Sequence, residues 1–116
     1  MATITPVRAV NKEVVTWTWT GVSTADTMVA TDPFYGSSIV RGSAQITGTA
    51  GGGTFTLSAS NDGVTYATLK DTGGSAITTT AAATWFEFET SAVYFKPTAS
   101  GGAGDDMNFV LSFRVY

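Results

Sequence analysis

The sequence predicts an all-β fold, an antiparallel β-sandwich of jelly-roll or immunoglobulin-like type with about eight to nine strands. Three observations lead there. No window of eleven or more residues keeps apolar side chains at the three-and-four spacing of a helix, and the abundant Thr and Gly form helices poorly. Period-two alternation recurs instead. Finally, the breaker clusters ATDPFYGSS, TAGGG, SNDG, DTGGS and SGGAGDD punctuate the chain at intervals suited to short strands.

Taken in chain order, residues 1–12 have the weakest periodicity and are expected to form an N-terminal arm, with residues 13–116 as a single β-sandwich domain. In VVTWTWTGV, Val15, Trp17 and Trp19 fall on one side and Thr16, Thr18 and Thr20 on the other, which predicts a strand over 14–22. Further strands are expected near 27–31 and 38–48. GTFTLSAS sets Phe55, Leu57 and Ala59 against Thr54, Thr56 and Ser58, giving a strand over 54–60. Shorter runs near 64–70, 76–80, 85–89 and 93–98 follow. The last strand, near 108–116, sets Phe109, Leu111, Phe113 and Val115 opposite Val110, Ser112 and Arg114.

Composition narrows function. The 116 residues include no Cys, so disulfides and thiolate metal sites are excluded. They include no His, which removes the usual general base and the commonest transition-metal ligand. A net charge of -3 argues against nucleic acid or an anionic membrane as partner. The opening MATITPVRAVNKEVV lacks a long apolar core, so neither a secretory signal nor a membrane span is expected, and synthesis is expected in the cytosol. Charged residues make up 13% of the chain, against about 25% in an ordinary soluble domain. Such a surface offers little like-charge repulsion to keep copies or partners apart.

Each candidate site has a plain alternative. Ser60-Asn61-Asp62-Gly63 has the chemistry of a tight hairpin, since Asn and Asp bond their own main chain and Gly accepts positive φ. A calcium loop would need six or more oxygens, and here Asp62 is followed by no acid before Asp71. Tyr66 and Leu69 have opposite parity, so without a bulge one of them faces the core. The same loop, with Asn61, Asp62 and Tyr66, is the ligand-loop candidate if the domain binds sugar, because S-x-D-G-x-x-aromatic also occurs in galactose-binding-like jelly rolls. Asp105 and Asp106 follow a glycine-rich loop but supply too few oxygens for a cation. Glu87 and Glu89 share one strand face, whereas glycosidase carboxyls face each other across a cleft. Without His no Ser triad is available, so no enzyme, cofactor or metal is expected. Trp85 and Phe86 must point to opposite faces, which leaves one aromatic outward as a protein interface or a sugar platform.

SAQITGTAGGGTFTLSASNDGVTYATL and VYFKPTASGGAGDDMNFVLSF, together with the Trp-rich VVTWTWTGV, resemble the small head-decoration, or cement, proteins of tailed phages encoded beside the major capsid protein. The resemblance runs over almost the whole chain. It departs at Phe95-Lys96-Pro97, where Lys96 stands in place of the more usual Arg and cannot make a bidentate contact. It implies a non-enzymatic virion structural protein on the outer capsid surface, commonly a homotrimer, that stabilises the head by bridging major capsid protein subunits. Interface candidates are Val7, Arg8, Val10 and Lys12 in the arm, then Trp85 and Lys96. The alternatives are a carbohydrate-binding module, compatible with a virion location, and a tail or fibre component.

Overall fold

The computed structural model describes residues 3–11, 14–23, 26–31, 40–49, 51–80, 84–101 and 106–114. Their eleven strands, in chain order, are β1 (Thr3–Ile4), β2 (Val7–Asn11), β3 (Val14–Val22), β4 (Thr27–Met28), β5 (Val40–Thr49), β6 (Thr54–Ser60), β7 (Ala67–Thr68), β8 (Thr78–Thr79), β9 (Thr84–Thr90), β10 (Tyr94–Ser100) and β11 (Asp106–Arg114). A five-stranded sheet runs β2-β3-β11-β5-β9, and a smaller one runs β10-β6-β7, with β8 also paired to β6. Both are antiparallel. A short parallel pair, β1 with β4, lies apart from them.

The two sheets form the expected sandwich. More strands are present than the eight or nine expected, and two of them, β1 and β2, come from residues assigned to the arm. Strands near 64–70 and 76–80 shrink to the two-residue β7 and β8. The reason is that β6 has one edge to share. It pairs with β8 through Phe55 and Thr56, then with β7 through Ser58 and Ala59. At the changeover, the Leu57 N–H donates to Ile77 C=O, Ile77 N–H to Leu69 C=O and Leu69 N–H to Leu57 C=O, at 2.9–3.0 Å. The side chains of all three are buried.

Alternation places the core as expected. Trp17, Trp19, Leu111, Phe113, Phe88 and Ile46 of the large sheet pack against Phe55, Leu57, Phe95 and Pro97 of the small one. Fully burying one such aliphatic or Phe side chain contributes about 1.5–3 kcal/mol. A bulge lets β3 bury Val22 as well as Trp19: Met107 pairs with Val22 but Phe109 pairs with Trp19, so Thr20 and Gly21 oppose Asn108. The Asn108 Oδ1 accepts the Gly21 N–H at 3.1 Å.

The segment after β4 ties the sheets together. Trp19 Nε1 donates to Val29 C=O at 2.8 Å. The Thr31 N–H donates to Phe95 C=O at 2.9 Å, and Thr31 Oγ1 accepts the Phe95 N–H at 3.2 Å. Thr31 therefore occupies the edge of β10.

Gly42 sits where rings from two strands, Phe88 of β9 and Phe113 of β11, converge. A Cβ there would lie 2.6 Å from Ser112 O and 2.7 Å from Phe88 Cζ. We expect Gly42→Val to destabilise the fold by about 1–3 kcal/mol, the usual cost of overpacking, as read from urea unfolding. An unchanged midpoint would show that Phe88 and Phe113 can repack.

Candidate functional site

The outer face of the large sheet is built by cross-strand register. Val7 pairs with Thr18, Thr18 with Val110, Val110 with Gln45 and Gln45 with Trp85, so one row crosses all five strands. The next row is Ala9, Thr16, Ser112, Ser43 and Glu87. Thr16 and Ser112 join by a hydroxyl hydrogen bond of 3.2 Å. Across ten positions these rows carry one charge, Glu87. Val7 and Trp85, both interface candidates from the sequence, end the same row at opposite edges, roughly 19 Å apart at the usual strand spacing. Trp85 is the outward member of the Trp85–Phe86 pair, 56% exposed, while Phe86 packs against the core.

At the first edge, β2 ends the sheet. Its outer backbone edge has no strand partner among the described residues. The other end strand, β9, is partly covered, because the Thr72 N–H donates to Glu87 C=O at 3.0 Å. Val7 is 68% exposed on the outer face. Val10 pairs with the buried Val15 and so lies on the inner face, yet it is 55% exposed. The smaller sheet does not reach over it. Arg8, on the same side, holds its guanidinium 5.9 Å from the Trp17 ring centroid, a cation–π contact at the rim of the core. Val7, Arg8 and Val10 are thus brought together, and Lys12 lies outside the described residues.

At the second edge, β5 and β9 set Arg41 against Glu89 and Ser43 against Glu87. Arg41 Nε meets Glu89 Oε2 at 2.9 Å in an exposed ion pair. With Trp85 these residues line a groove of about 600 Å³. Neither the groove nor Arg41 was legible in advance, since it needs the register between strands more than thirty residues apart.

The Asn61-Asp62-Gly63 stretch is a bend, but a wider one than the tight hairpin expected. Ala59 pairs with Ala67, leaving residues 60–66 as the connection. The Asp62 Oδ1 accepts the N–H groups of Val64 and Thr65 at 2.8 and 2.9 Å and the Ser60 hydroxyl at 2.8 Å. Ser60 Oγ in turn accepts the Asp62 and Gly63 N–H groups. Gly63, at φ 76°, lies against the Tyr94 ring. Leu69 is the core-facing member of the Tyr66–Leu69 pair. Tyr66 folds back so that the Lys96 ammonium sits 4.2 Å from its ring centroid. Lys96 therefore lies on the outer face of the small sheet, away from the other interface candidates. Desolvation, with the nearby Tyr94 and Asp62, pushes the Tyr66 hydroxyl pKa upward. As a ligand loop this arrangement offers little, because Asp62 is occupied by its own turn. Among the described residues no group of three or more acidic side chains could hold a metal.

No protein-family model matches the sequence, and no curated protein matches it. Among solved structures, the fold is similar to the crystal structure of SPBc2 prophage-derived protein YomS, with a TM-score of 0.56 and 12% sequence identity over 90% of this chain and 98% of that one.

The Asp62 turn has a measurable consequence. The N–H groups of Thr65 and Val64, then the Ser60 hydroxyl, lower its carboxyl from the ordinary 3.8 to about 2. A depressed carboxyl stabilises the folded loop above its unfolded value, and that contribution is lost as pH falls from 3.8 toward 2. We expect an NMR titration of the Asp62 carboxyl to give a midpoint near 2, and Asp62→Ala to speed amide exchange at Val64 and Thr65. A midpoint near 4 would contradict the geometry.

Proposed function

We propose that this chain is a non-enzymatic virion structural protein, a capsid decoration or cement protein on the outer surface of a tailed-phage head. The observation that carries the reading is the β2 edge. The five-stranded sheet ends at β2 with no strand on its outer edge among the described residues, and valines are exposed on both faces of that strand. An exposed edge flanked by apolar side chains adheres by strand addition and by apolar burial. The likeness in fold to a prophage-derived protein supports a phage origin. So does the sequence resemblance to cement proteins, which adds homotrimers at points where major capsid protein subunits meet.

The mechanism is linkage. A protein that binds the assembled shell and not its free subunits stabilises the shell by mass action. Attachment at several points on a lattice multiplies the effect even when each contact is modest. Low surface charge assists, since little repulsion opposes close approach.

The test is direct. Expanded shells of the virus that encodes this chain should resist heat better with the protein bound than without it. The double variant Val7→Asp, Val10→Asp should bind shells about tenfold more weakly or worse, because it places two carboxylates in the contact. Its own unfolding midpoint should barely change, as both side chains are exposed. Equal shell resistance with and without the protein would overturn the proposal, as would recovery on tails or fibres and not on heads.

A further inference from the structure

The groove runs across the large sheet from Val14 of β3 over β11 and β5 to Trp85, Glu87 and Glu89 of β9, the edge opposite Val7 and Val10. At about 600 Å³ it falls within the range of small-ligand sites. We propose that it binds a neutral pyranose, a hexose or N-acetylhexosamine unit of a glycan.

Trp85 and Glu87 are two residues apart on one strand face, about 6.6 Å along β9. That separation suits one pyranose ring stacked by its C–H face on the indole, with its hydroxyls directed at the carboxylate. Trp85 is 56% exposed and supplies the flat apolar surface such stacking needs. Arg41 uses its Nε toward Glu89, which leaves other guanidinium N–H groups to donate, and Glu89 keeps a second oxygen to accept. Ser43, on β5, lies directly opposite Glu87 of β9.

Charge decides among ligand classes. Glu87 and Glu89 against Arg41 leave this rim one unit negative, which disfavours phosphate, sulfate and uronate groups. Lipids and apolar peptides are disfavoured because Trp85 is the one large exposed apolar side chain among the described residues lining the groove. Hydrolysis is disfavoured too, since both carboxylates approach a bound sugar from one strand face and cleavage needs carboxyls on both sides of the bond. The site is also stiff. Thr72 is bonded to the Glu87 carbonyl, and Phe88 is anchored in the core between the two acids. Little ordering is then lost on binding.

The full chain would be titrated with lactose, N,N′-diacetylchitobiose and maltose, with glucuronate as the charged control. Trp17 and Trp19 are buried, so a sugar-dependent change in tryptophan emission reports Trp85. At least one neutral sugar should give a saturable change, together with amide shifts at Ser43 and Glu87, and glucuronate should give none. Trp85→Ala, followed by amide shifts, and Glu87→Ala should each weaken sugar binding about tenfold or more, while both variants keep the emission of the buried tryptophans. No response to any of the three sugars overturns the proposal. So does an equal response in Trp85→Ala.

Discussion

Three phenylalanine rings hold the two sheets in one relation. Phe95 of the small sheet meets Phe113 of the large one at 4.8 Å between centroids, and both meet Phe88, at 5.9 and 5.7 Å. Tilted and edge-on ring pairs of this kind are worth about 0.5–1.5 kcal/mol each beyond the area they bury. The cluster exists because Gly42 withholds a Cβ from the space that Phe88 occupies. Its consequence reaches the surface. With Phe88 fixed inward, period-two geometry obliges Glu87 and Glu89 to face out, and Trp85 with them. The composition of the groove is therefore a by-product of core packing one residue away.

The inequality of the sheets does the rest. Five strands on one side face a smaller sheet on the other, so the large sheet overhangs at β2. Val10 and Val15 stand side by side on the same face, yet Val15 is 9% exposed and Val10 is 55%. The rim is softened by Arg8, whose guanidinium covers Trp17 while its charge stays wet. The edge of β10 is occupied by the protein's own Thr31 and the edge of β9 is partly covered at Thr72.

The same overhang explains what could be read from the sequence and what could not. Alternation is legible where one face is buried, so β3, β6 and β11 and their inward residues follow from the pattern. Residues 7–10 show no alternation because all four are exposed on both faces of β2, and a strand with two wet faces reads as an arm. The choice between Trp85 and Phe86 was legible as a choice and needed Phe88's burial to resolve it. At Ser60–Gly63 the turn chemistry was plain in the letters. The width of the loop was not, because it is set by the pairing of Ala59 with Ala67, a register the turn letters leave undetermined. The pairing of Arg41 with Glu89 likewise depends on a register that period-two patterns leave undetermined.

A chain with few charges also uses them in a particular way. Arg8 lies over Trp17, Lys96 over Tyr66 and Arg41 against Glu89. Asp62 and Asp71 each accept main-chain N–H groups within their own turns. Arg41 and Glu89 cancel each other, and salt screens the remaining exposed charges beyond a Debye length, about 8 Å at physiological salt. Recognition by such a surface then depends on shape, apolar contact and hydroxyl hydrogen bonds rather than on long-range attraction. Docking of this kind is slow to select a partner from a distance but insensitive to salt once made. That combination is what the proposed role needs, since a part attached to a larger particle must hold through changes of ionic environment, and the proposed valine edge and tryptophan groove both work at short range.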